Sequence, residues 1–264
     1  MRDQGLEEAI SAAGGVSELA RRLGISQPSI SNWTRVPADR VLAVEAATGV
    51  ARIVLRPDLF GEPSASGSDE TELARAQEYA LLATLLAKSP DIQLLQRLSR
   101  LRGDASPLGV AHAALGEAAA RADVDRVGRE YFDLFVGLGR GELLPYASYY
   151  LTGFLYERPL ARLRGDLKRV GIALAEGLSE PEDHAAILCE IMAGLAGGAI
   201  EAEPGTDRRI FEKHMAPWMG RFFADLERSQ RADFYARVGT LGRTFVEIES
   251  EAFALPQEAR AGSG

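Results

Sequence analysis

The chain has 264 residues, 46% of them hydrophobic, and a formal net charge of −8 at pH 7. This composition excludes a disordered chain, and the length favours two domains. Alanine and leucine together outnumber valine and isoleucine by about three to one, which favours helices because β-branched side chains lose more rotamer freedom on a helix.

The charge is unevenly distributed along the chain. Residues 1–61 carry as many arginines as carboxylates, so the whole acidic excess lies after residue 61. A coat for nucleic acid would be basic throughout, which disfavours nucleic-acid binding by the longer part. The single cysteine, Cys189, excludes an internal disulfide framework and any cysteine-rich metal site. Its apolar helical surroundings predict a buried side chain.

The sequence predicts a cytoplasmic protein that does not insert into a membrane. Acidic residues follow Met1 closely, where a secretory signal needs an apolar run. The longest uncharged apolar stretch, Leu143 to Tyr156, contains Pro145 and is shorter than the roughly 20 residues that span a bilayer.

The first clear spacing lies in residues 17–33 and predicts a helix-turn-helix. Ala20, Gly24 and Ile30 stand where that motif needs a close helix approach, a positive-φ turn and a buried side chain. Ser17 and Ser26 are expected to cap the two helices. If Ile30 and Trp33 point inward, the outward polar side chains that could read base edges are Gln27, Ser29, Ser31 and Asn32. Arg35 and Arg40 could then hold phosphates.

Residues 5–61 resemble small Cro/YdaS-like phage-type regulators. The similarity rests on residues 17–33, the run 36–49 and residues 55–60. It implies sequence-specific DNA binding as a dimer, with Gln27, Pro28, Ser31 and Asn32 on the reading face. The alternative is a helical hairpin that only packs or dimerises, since the net charge of this part is zero and phosphate binding favours a basic face.

A flexible linker is predicted at residues 62–69 from its glycine and serine content. It separates a domain at 1–61 from a domain at 70–255, and residues 256–264 are expected to form a disordered tail. Residues 52–55 are expected to be extended. After residue 70 the patterns predict an all-α bundle of about nine further helices, near 91–101, 107–121, 124–136, 146–155, 159–177, 181–199, 207–214, 217–229 and 232–254.

No motif in the sequence predicts catalysis, a cofactor or a metal site. The three histidines lie far apart, without a metal-binding pair at helical spacing. The glycine-rich segment 137–141 lacks the Lys-Ser/Thr ending and the preceding strand of a phosphate-binding loop, so a turn between helices is expected. The chain is therefore predicted not to be an enzyme.

Two segments of the longer domain suggest binding of a partner. The first is rich in aromatic residues, which form either core or a groove for an apolar peptide, with tyrosine hydroxyls left in water. The second is residues 179–184, where Ser179 and Glu182 form a predicted capping box. Capping does not explain Asp183 and His184, which could offer an acidic, pH-sensitive contact to a basic peptide.

Together these segments resemble the TorD/DmsD family of molybdoenzyme chaperones. The match rests on Tyr131-x-x-Leu134-Phe135-x-Gly137, Pro145-Tyr146-x-Ser148-x-Tyr150 and Glu180-Pro181-x-Asp183-His184. Ala147 departs from the family, where an acidic residue is common. The resemblance implies an all-helical chaperone that binds the twin-arginine leader or the apoenzyme of a molybdenum-cofactor oxidoreductase. The client-binding residues it implies are Tyr131, Phe135, Tyr146, Ser148, Tyr150, Glu180, Asp183 and His184.

The sequence leaves three functions open. In the first, a chaperone domain carries a DNA-binding head, and general resemblance alone suggests formate dehydrogenase as the client. In the second, the chain is a transcriptional regulator whose TorD-like body senses the client or forms the homodimer. In the third, the head is a remnant that contacts protein.

Overall fold

A computed structural model describes residues 3–37, 40–56, 67–172 and 180–255. The chain divides into two compact units, Met1–Ser66 and Gly67–Gly264. Within the described residues, the regular structure consists of helices and one isolated β-bridge, with no strand. The predicted all-α fold class is therefore confirmed. No helix in these ranges is long and apolar enough to cross a bilayer.

The N-terminal unit is a small helical domain around one apolar core. Its helices are α1 (Gln4–Ala13), α2 (Val16–Leu23), α3 (Gln27–Ser31), α4 (Val41–Thr48) and α5 (Arg52–Leu55). Gly24 ends α2 with φ of 67°, the left-handed turn that the helix-turn-helix spacing predicts. Leu6, Leu19 and Ile30 are fully buried in the core that the five helices share.

Two local predictions in this unit are wrong. Residues 52–55 form helix α5 rather than an extended segment; the Glu45 carboxylate accepts the Arg52 backbone N–H at 2.9 Å at the start of that helix. Ser17 is not an N-cap, because α2 begins at Val16 after Gly15. Ser26 does stand at the N-cap of α3, but its hydroxyl bonds the Ser29 hydroxyl at 2.7 Å instead of a backbone amide.

The C-terminal unit is a larger helical bundle. Its helices are α6 (Gly67–Ala87), α7 (Ile92–Leu98), α8 (Pro107–Arg121), α9 (Val124–Tyr131), α10 (Ala147–Thr152), α11 (Arg158–Arg169), α12 (Ala185–Ala196), α13 (Thr206–Ile210), α14 (Met219–Arg228) and α15 (Phe234–Ala254). Two π-helical turns, Phe132–Val136 and Phe211–Met215, continue α9 and α13. Single π-turns inside helices often mark functional sites.

Two long helix pairs form the core of this bundle. Helix α6 packs along α12, and α14 packs along α15. The second pair approaches closely at Gly242, where a Cβ atom would lie 2.2 Å from the Phe223 ring. Trp218 is fully buried, and so is Cys189 on α12, as predicted. Burial raises the pKa of the Cys189 thiol, so the side chain behaves as a small apolar group.

Several predicted boundaries shift. Helix α6 begins at Gly67, so three residues assigned to the linker are helical, while residues 62–66 and the predicted tail 256–264 lie outside the described residues. The predicted helix at 159–177 spans Arg158–Arg169 and ends there, before Gly171 with its positive φ of 75°; residues 173–179 lie outside the described residues. The predicted helix at 181–199 begins only at Ala185.

Candidate functional site

The two segments that carry the TorD resemblance meet in the structure. Tyr146 and His184 form an isolated antiparallel bridge. The Ala147 N–H donates to the Asp183 carbonyl at 3.0 Å, and the Ala185 N–H donates to the Pro145 carbonyl at 2.8 Å. The Tyr146 and His184 rings pack edge to face with centroids 4.9 Å apart. The loop before α10 and the loop before α12 are thus joined at one point.

Asp183 holds the start of α10 and does not reach the surface. Its side chain belongs to a residue that is 1% exposed, and its Oδ2 atom accepts the Ser148 backbone N–H at 2.8 Å. Ser148 is fully buried as well. Direct contact of Asp183 with a basic peptide stays a prediction, but the burial of the carboxylate and the hydrogen bond from the first turn of α10 favour a positioning role for it.

His184 caps α12 and is neutral at pH 7. Its Nδ1 atom accepts the Ala186 N–H at 3.1 Å. Burial lowers the pKa of His184 to about 4, against the opposing charges of Glu180 and Asp183. A contact between His184 and a peptide would therefore change with pH near pH 4 rather than near neutrality.

The predicted capping box is also wrong. Helix α12 begins at Ala185 with His184 as its N-cap, and Ser179 lies outside the described residues. Glu182 instead accepts two hydrogen bonds from the Arg164 guanidinium, at 2.7 and 2.8 Å.

A groove of about 600 Å³ opens between α6 and α12. Five of its twelve lining residues are alanines of these two helices, whose small side chains leave room for a ligand. Three of the predicted client-binding residues line it: Tyr131, Glu180 and His184. The charged side chains around it are Glu180, Glu190 and Lys88, so the groove is acidic on balance.

The tyrosines around the groove fix its acidic edge. The Tyr146 hydroxyl donates to Glu180 Oε2 at 2.5 Å, which orients an otherwise exposed carboxylate. Burial, with the hydrogen bond to Glu180, raises the pKa of Tyr146, so the phenol keeps its proton. The Tyr131 hydroxyl donates to the Leu86 carbonyl at 3.3 Å, which ties the aromatic wall to α6.

Phe135 and Tyr150 belong to an aromatic cluster and do not line the groove. The Phe135 ring lies 5.1 Å from the Tyr131 ring and 6.5 Å from the Phe222 ring. Tyr150 packs 5.5 Å from Trp218 and donates its hydroxyl to Asp225 at 3.1 Å. Both rings are half-buried. Of the two alternatives that the sequence leaves open for the aromatic residues, core or peptide groove, these two rings fit the core.

Sequence reasoning missed Glu190, Lys88 and Thr84 in the groove. A signal for Glu190 was present, because it is the only charged residue of α12, whose other side chains are apolar. Its exposure on such a helix marks the face that is not packed in the core. Lys88 and Thr84 carry no comparable signal, since a polar residue near a helix end is ordinary.

The predicted DNA-reading residues lie together on the surface of the N-terminal unit. Ile30 is buried, while the residues of the predicted reading face and Arg35 are all exposed: Gln27, Pro28, Ser29, Ser31, Asn32 and Arg35. Pro28 falls in the first turn of α3, where a missing N–H costs nothing.

The arginines of α2 are partly neutralised within their own helix. Glu18 accepts hydrogen bonds from Arg21 and Arg22, and these bonds lower the pKa of Glu18 to about 2. Part of the basic charge of the N-terminal unit is therefore already paired, and few phosphate contacts are expected.

Comparison with known proteins gives matches in both units. Residues 102–224 match a family model described as nitrate reductase delta subunit, and residues 6–64 match one described as bacterial toxin YdaS. Chaperone protein TorD of Shewanella loihica is 26% identical over 202 residues, covering 68% of this chain and 92% of that protein. TorD of Vibrio cholerae is 28% identical over 127 residues, covering 45% of this chain and 58% of that protein.

A solved structure also matches, that of a redox enzyme maturation protein from Archaeoglobus fulgidus. It is 18% identical with a TM-score of 0.46, and the match covers 66% of this chain and 93% of that one. The TorD relatives are named as chaperones, in agreement with the prediction that this chain is not an enzyme. The matches confirm both resemblances: the N-terminal unit is similar to YdaS-type proteins, and the C-terminal unit is similar to TorD proteins.

Proposed function

We propose that the C-terminal domain is a cytoplasmic chaperone for the maturation of a molybdenum-cofactor oxidoreductase and binds its twin-arginine leader or apoenzyme. The observation that carries this proposal is the acidic groove, which Tyr131 lines together with Glu180 and His184 of a later segment. The similarity to proteins named TorD supports it. Formate dehydrogenase is the client that general resemblance suggests.

The groove suits a peptide with two arginines and an apolar stretch. A guanidinium pairs with a carboxylate through two parallel hydrogen bonds, and Glu180 and Glu190 each provide one carboxylate. The alanines of α6 and α12 offer an apolar surface without bulk, onto which the apolar part of a leader can pack. Lys88 would repel the arginines and so favour one orientation of the peptide.

Calorimetry on the full chain with a synthetic twin-arginine leader tests the proposal. We expect micromolar binding that weakens about tenfold, or about 1.4 kcal/mol, when both arginines of the peptide become lysines. Glu180→Gln should weaken binding, whereas the matched variant Glu117→Gln, at an exposed glutamate of α8, should not. If neither the leader nor the mature subunit binds at micromolar concentrations, the proposal is wrong.

We propose as a second function that the N-terminal domain binds DNA, which would make the chain a transcriptional regulator. The exposed Gln27 and Asn32, on either side of the buried Ile30, favour it. Gln and Asn side chains can each make two hydrogen bonds to adenine in the major groove. In this function the TorD-like domain senses the client or forms the homodimer, and client binding changes the DNA affinity.

A mobility-shift assay on the region upstream of the gene, with and without the client, tests this function. Gln27→Ala combined with Asn32→Ala should abolish the specific shift, while Gln4→Ala, at an exposed amide on α1, should leave it unchanged. A normal shift with the double variant would refute the assignment of the recognition helix. The few phosphate contacts expected here predict a shallow salt dependence, and its complete absence would indicate that no phosphate is bound and favour a remnant domain that contacts protein.

A further inference from the structure

Helix α11 is strongly basic within the acidic part of the chain. It carries five arginines and lysines, Arg158, Arg162, Arg164, Lys168 and Arg169, against the single carboxylate of Asp166. Neither the acidic groove nor the DNA-reading helix uses these side chains. Arg164 is engaged by Glu182 and Arg169 by Asp166, and all five basic residues are exposed on the helix surface.

A second pocket, of about 550 Å³, lies beside α11. It is bounded by α11, by α10 and by the π-turn that follows α13. Its charged side chains are Arg162, Arg169, Lys213 and Asp166, and it has apolar walls that include Leu151 and Pro159. This volume is in the usual range of ligand pockets.

The pocket keeps an excess of positive charge. Asp166 already accepts from His214 Nε2 at 2.8 Å, pairs with Arg169 and lies 3.8 Å from the Lys213 ammonium. Burial, which outweighs the hydrogen bond to Asp166, lowers the pKa of His214 and so favours the neutral imidazole. No carboxylate of the described residues pairs with Arg162. Among the described residues, the pocket therefore holds three cations against one carboxylate, and only two of them pair with it.

The apolar wall continues into an exposed aromatic loop. The loop that joins α10 to α11 runs between Leu151 and Pro159, and its Phe154 and Tyr156 are 69% and 73% exposed. Tyr156 has φ of 61°, a left-handed conformation that costs a bulky residue about 1–3 kcal/mol. Burial of the Tyr156 ring does not offset this backbone strain, because the ring lies mostly in water. Neighbouring exposed rings of this kind mark interaction surfaces.

We propose that this basic–apolar face, formed by Leu151, Phe154, Tyr156, Arg162, Arg169 and Lys213, binds an acidic segment of a partner polypeptide that also carries apolar side chains. The excess of cations selects carboxylates, and the exposed rings select the apolar side chains between them. A compact inorganic anion would use the cations alone and leave the rings in water. The aromatic loop therefore favours a peptide over a small anion.

Fluorescence anisotropy on the full chain tests this proposal with a labelled twelve-residue peptide of alternating Glu and Leu. Arg162→Glu combined with Arg169→Glu should weaken binding of this probe by at least about tenfold, because two attractions become repulsions. The matched control, Arg97→Glu with Arg100→Glu, makes the same charge change at exposed positions near the end of α7 and should change binding by less than about twofold. A peptide with Lys in place of Glu should not lose affinity in the Arg162→Glu, Arg169→Glu variant, because that change removes repulsion from a cationic peptide.

Two further measurements distinguish a peptide site from other outcomes. Phe154→Ser should weaken the acidic probe but leave the binding of inorganic phosphate unchanged. If phosphate binds and the peptide does not, the pocket is a small-anion site and the proposal is wrong. Equal losses for the α11 variant and for its control would also overturn it, since the attraction would then be a property of the overall charge.

Discussion

Asp183 is the residue at which a direct and an indirect role in client binding can be separated. The sequence suggests contact with a peptide, whereas the structure places the carboxylate under the first turn of α10, 1% exposed and 2.8 Å from the Ser148 amide. Asp183→Ala removes this acceptor. Tyr146, the N-cap of α10, makes no side-chain capping bond, so nothing on α10 itself replaces it.

The expected cost follows from one buried hydrogen bond to a charged group. Losing it while the Ser148 N–H stays buried costs about 2 kcal/mol of unfolding free energy. Asp183→Asn keeps an oxygen acceptor without the charge, so about half of that loss is expected. The backbone bridge between Tyr146 and His184 does not involve the side chain and should persist in both variants.

Urea unfolding followed by tryptophan fluorescence measures this cost. The chain has two tryptophans, and a Trp33→Phe background leaves Trp218, fully buried in the C-terminal core, as the reporter. Calorimetry with the twin-arginine leader, under conditions where each variant is folded, provides the second readout. Asp183→Asn should bind the leader within about twofold of the unsubstituted chain, because its oxygen still holds α10.

Two results would refute this reasoning. A stable Asp183→Asn chain that has lost leader binding by about tenfold would show that the carboxylate touches the client directly. An Asp183→Ala chain with an unchanged urea midpoint would show that the hydrogen bond to Ser148 does not hold α10.

Three other predictions concern stability. Burial keeps the pKa of His184 near 4, below its unfolded value of about 6.5, so the unfolding free energy should fall by up to about 3 kcal/mol as the pH drops from 6.5 to 4. In urea titrations over that range, the His184→Ser variant, which retains a cap, should lose less unfolding free energy. Gly5→Ala would place a Cβ 2.3 Å from the Val54 carbonyl oxygen, and hydrogen exchange should then accelerate in α1 and α5 but not in the C-terminal unit. Glu249 and Arg75 form a buried ion pair with two hydrogen bonds of 2.8 Å, which Glu249→Gln weakens. The urea midpoint reported by Trp218 should fall by an amount that corresponds to about 3 kcal/mol of unfolding free energy.

The features that the sequence predicts well are local ones. The turn at Gly24 and the burial of Ile30 depend on spacing within one short motif, and both are confirmed. Helix α8 has the predicted bounds because Pro107 follows the N-cap Ser106, and both are visible in the sequence. The prediction for residues 52–55 is wrong because their β-branched side chains favour a strand, whereas in the folded unit they form a helix.

The parts of the site that depend on tertiary pairing could not be predicted. The sequence assigns Tyr146 and Asp183 to the same family motif. The direction of their side chains depends on contacts between two loops that lie 34 or more residues apart in the chain. Burial then changes the chemistry: it lowers the pKa of His184 and makes Asp183 a structural acceptor. Glu190 enters the groove because α12 packs on α6, which no local pattern specifies.

The central claim, that the acidic groove recognises the paired arginines of a leader, is tested most directly by a double-mutant cycle. Calorimetry would compare the full chain with its Glu180→Gln variant, each against the leader peptide and the same peptide with its two arginines replaced by glutamine. A coupling free energy of about 1–3 kcal/mol between Glu180 and the arginines is the predicted result. Additive losses, with no coupling beyond about 0.3 kcal/mol, would contradict the account.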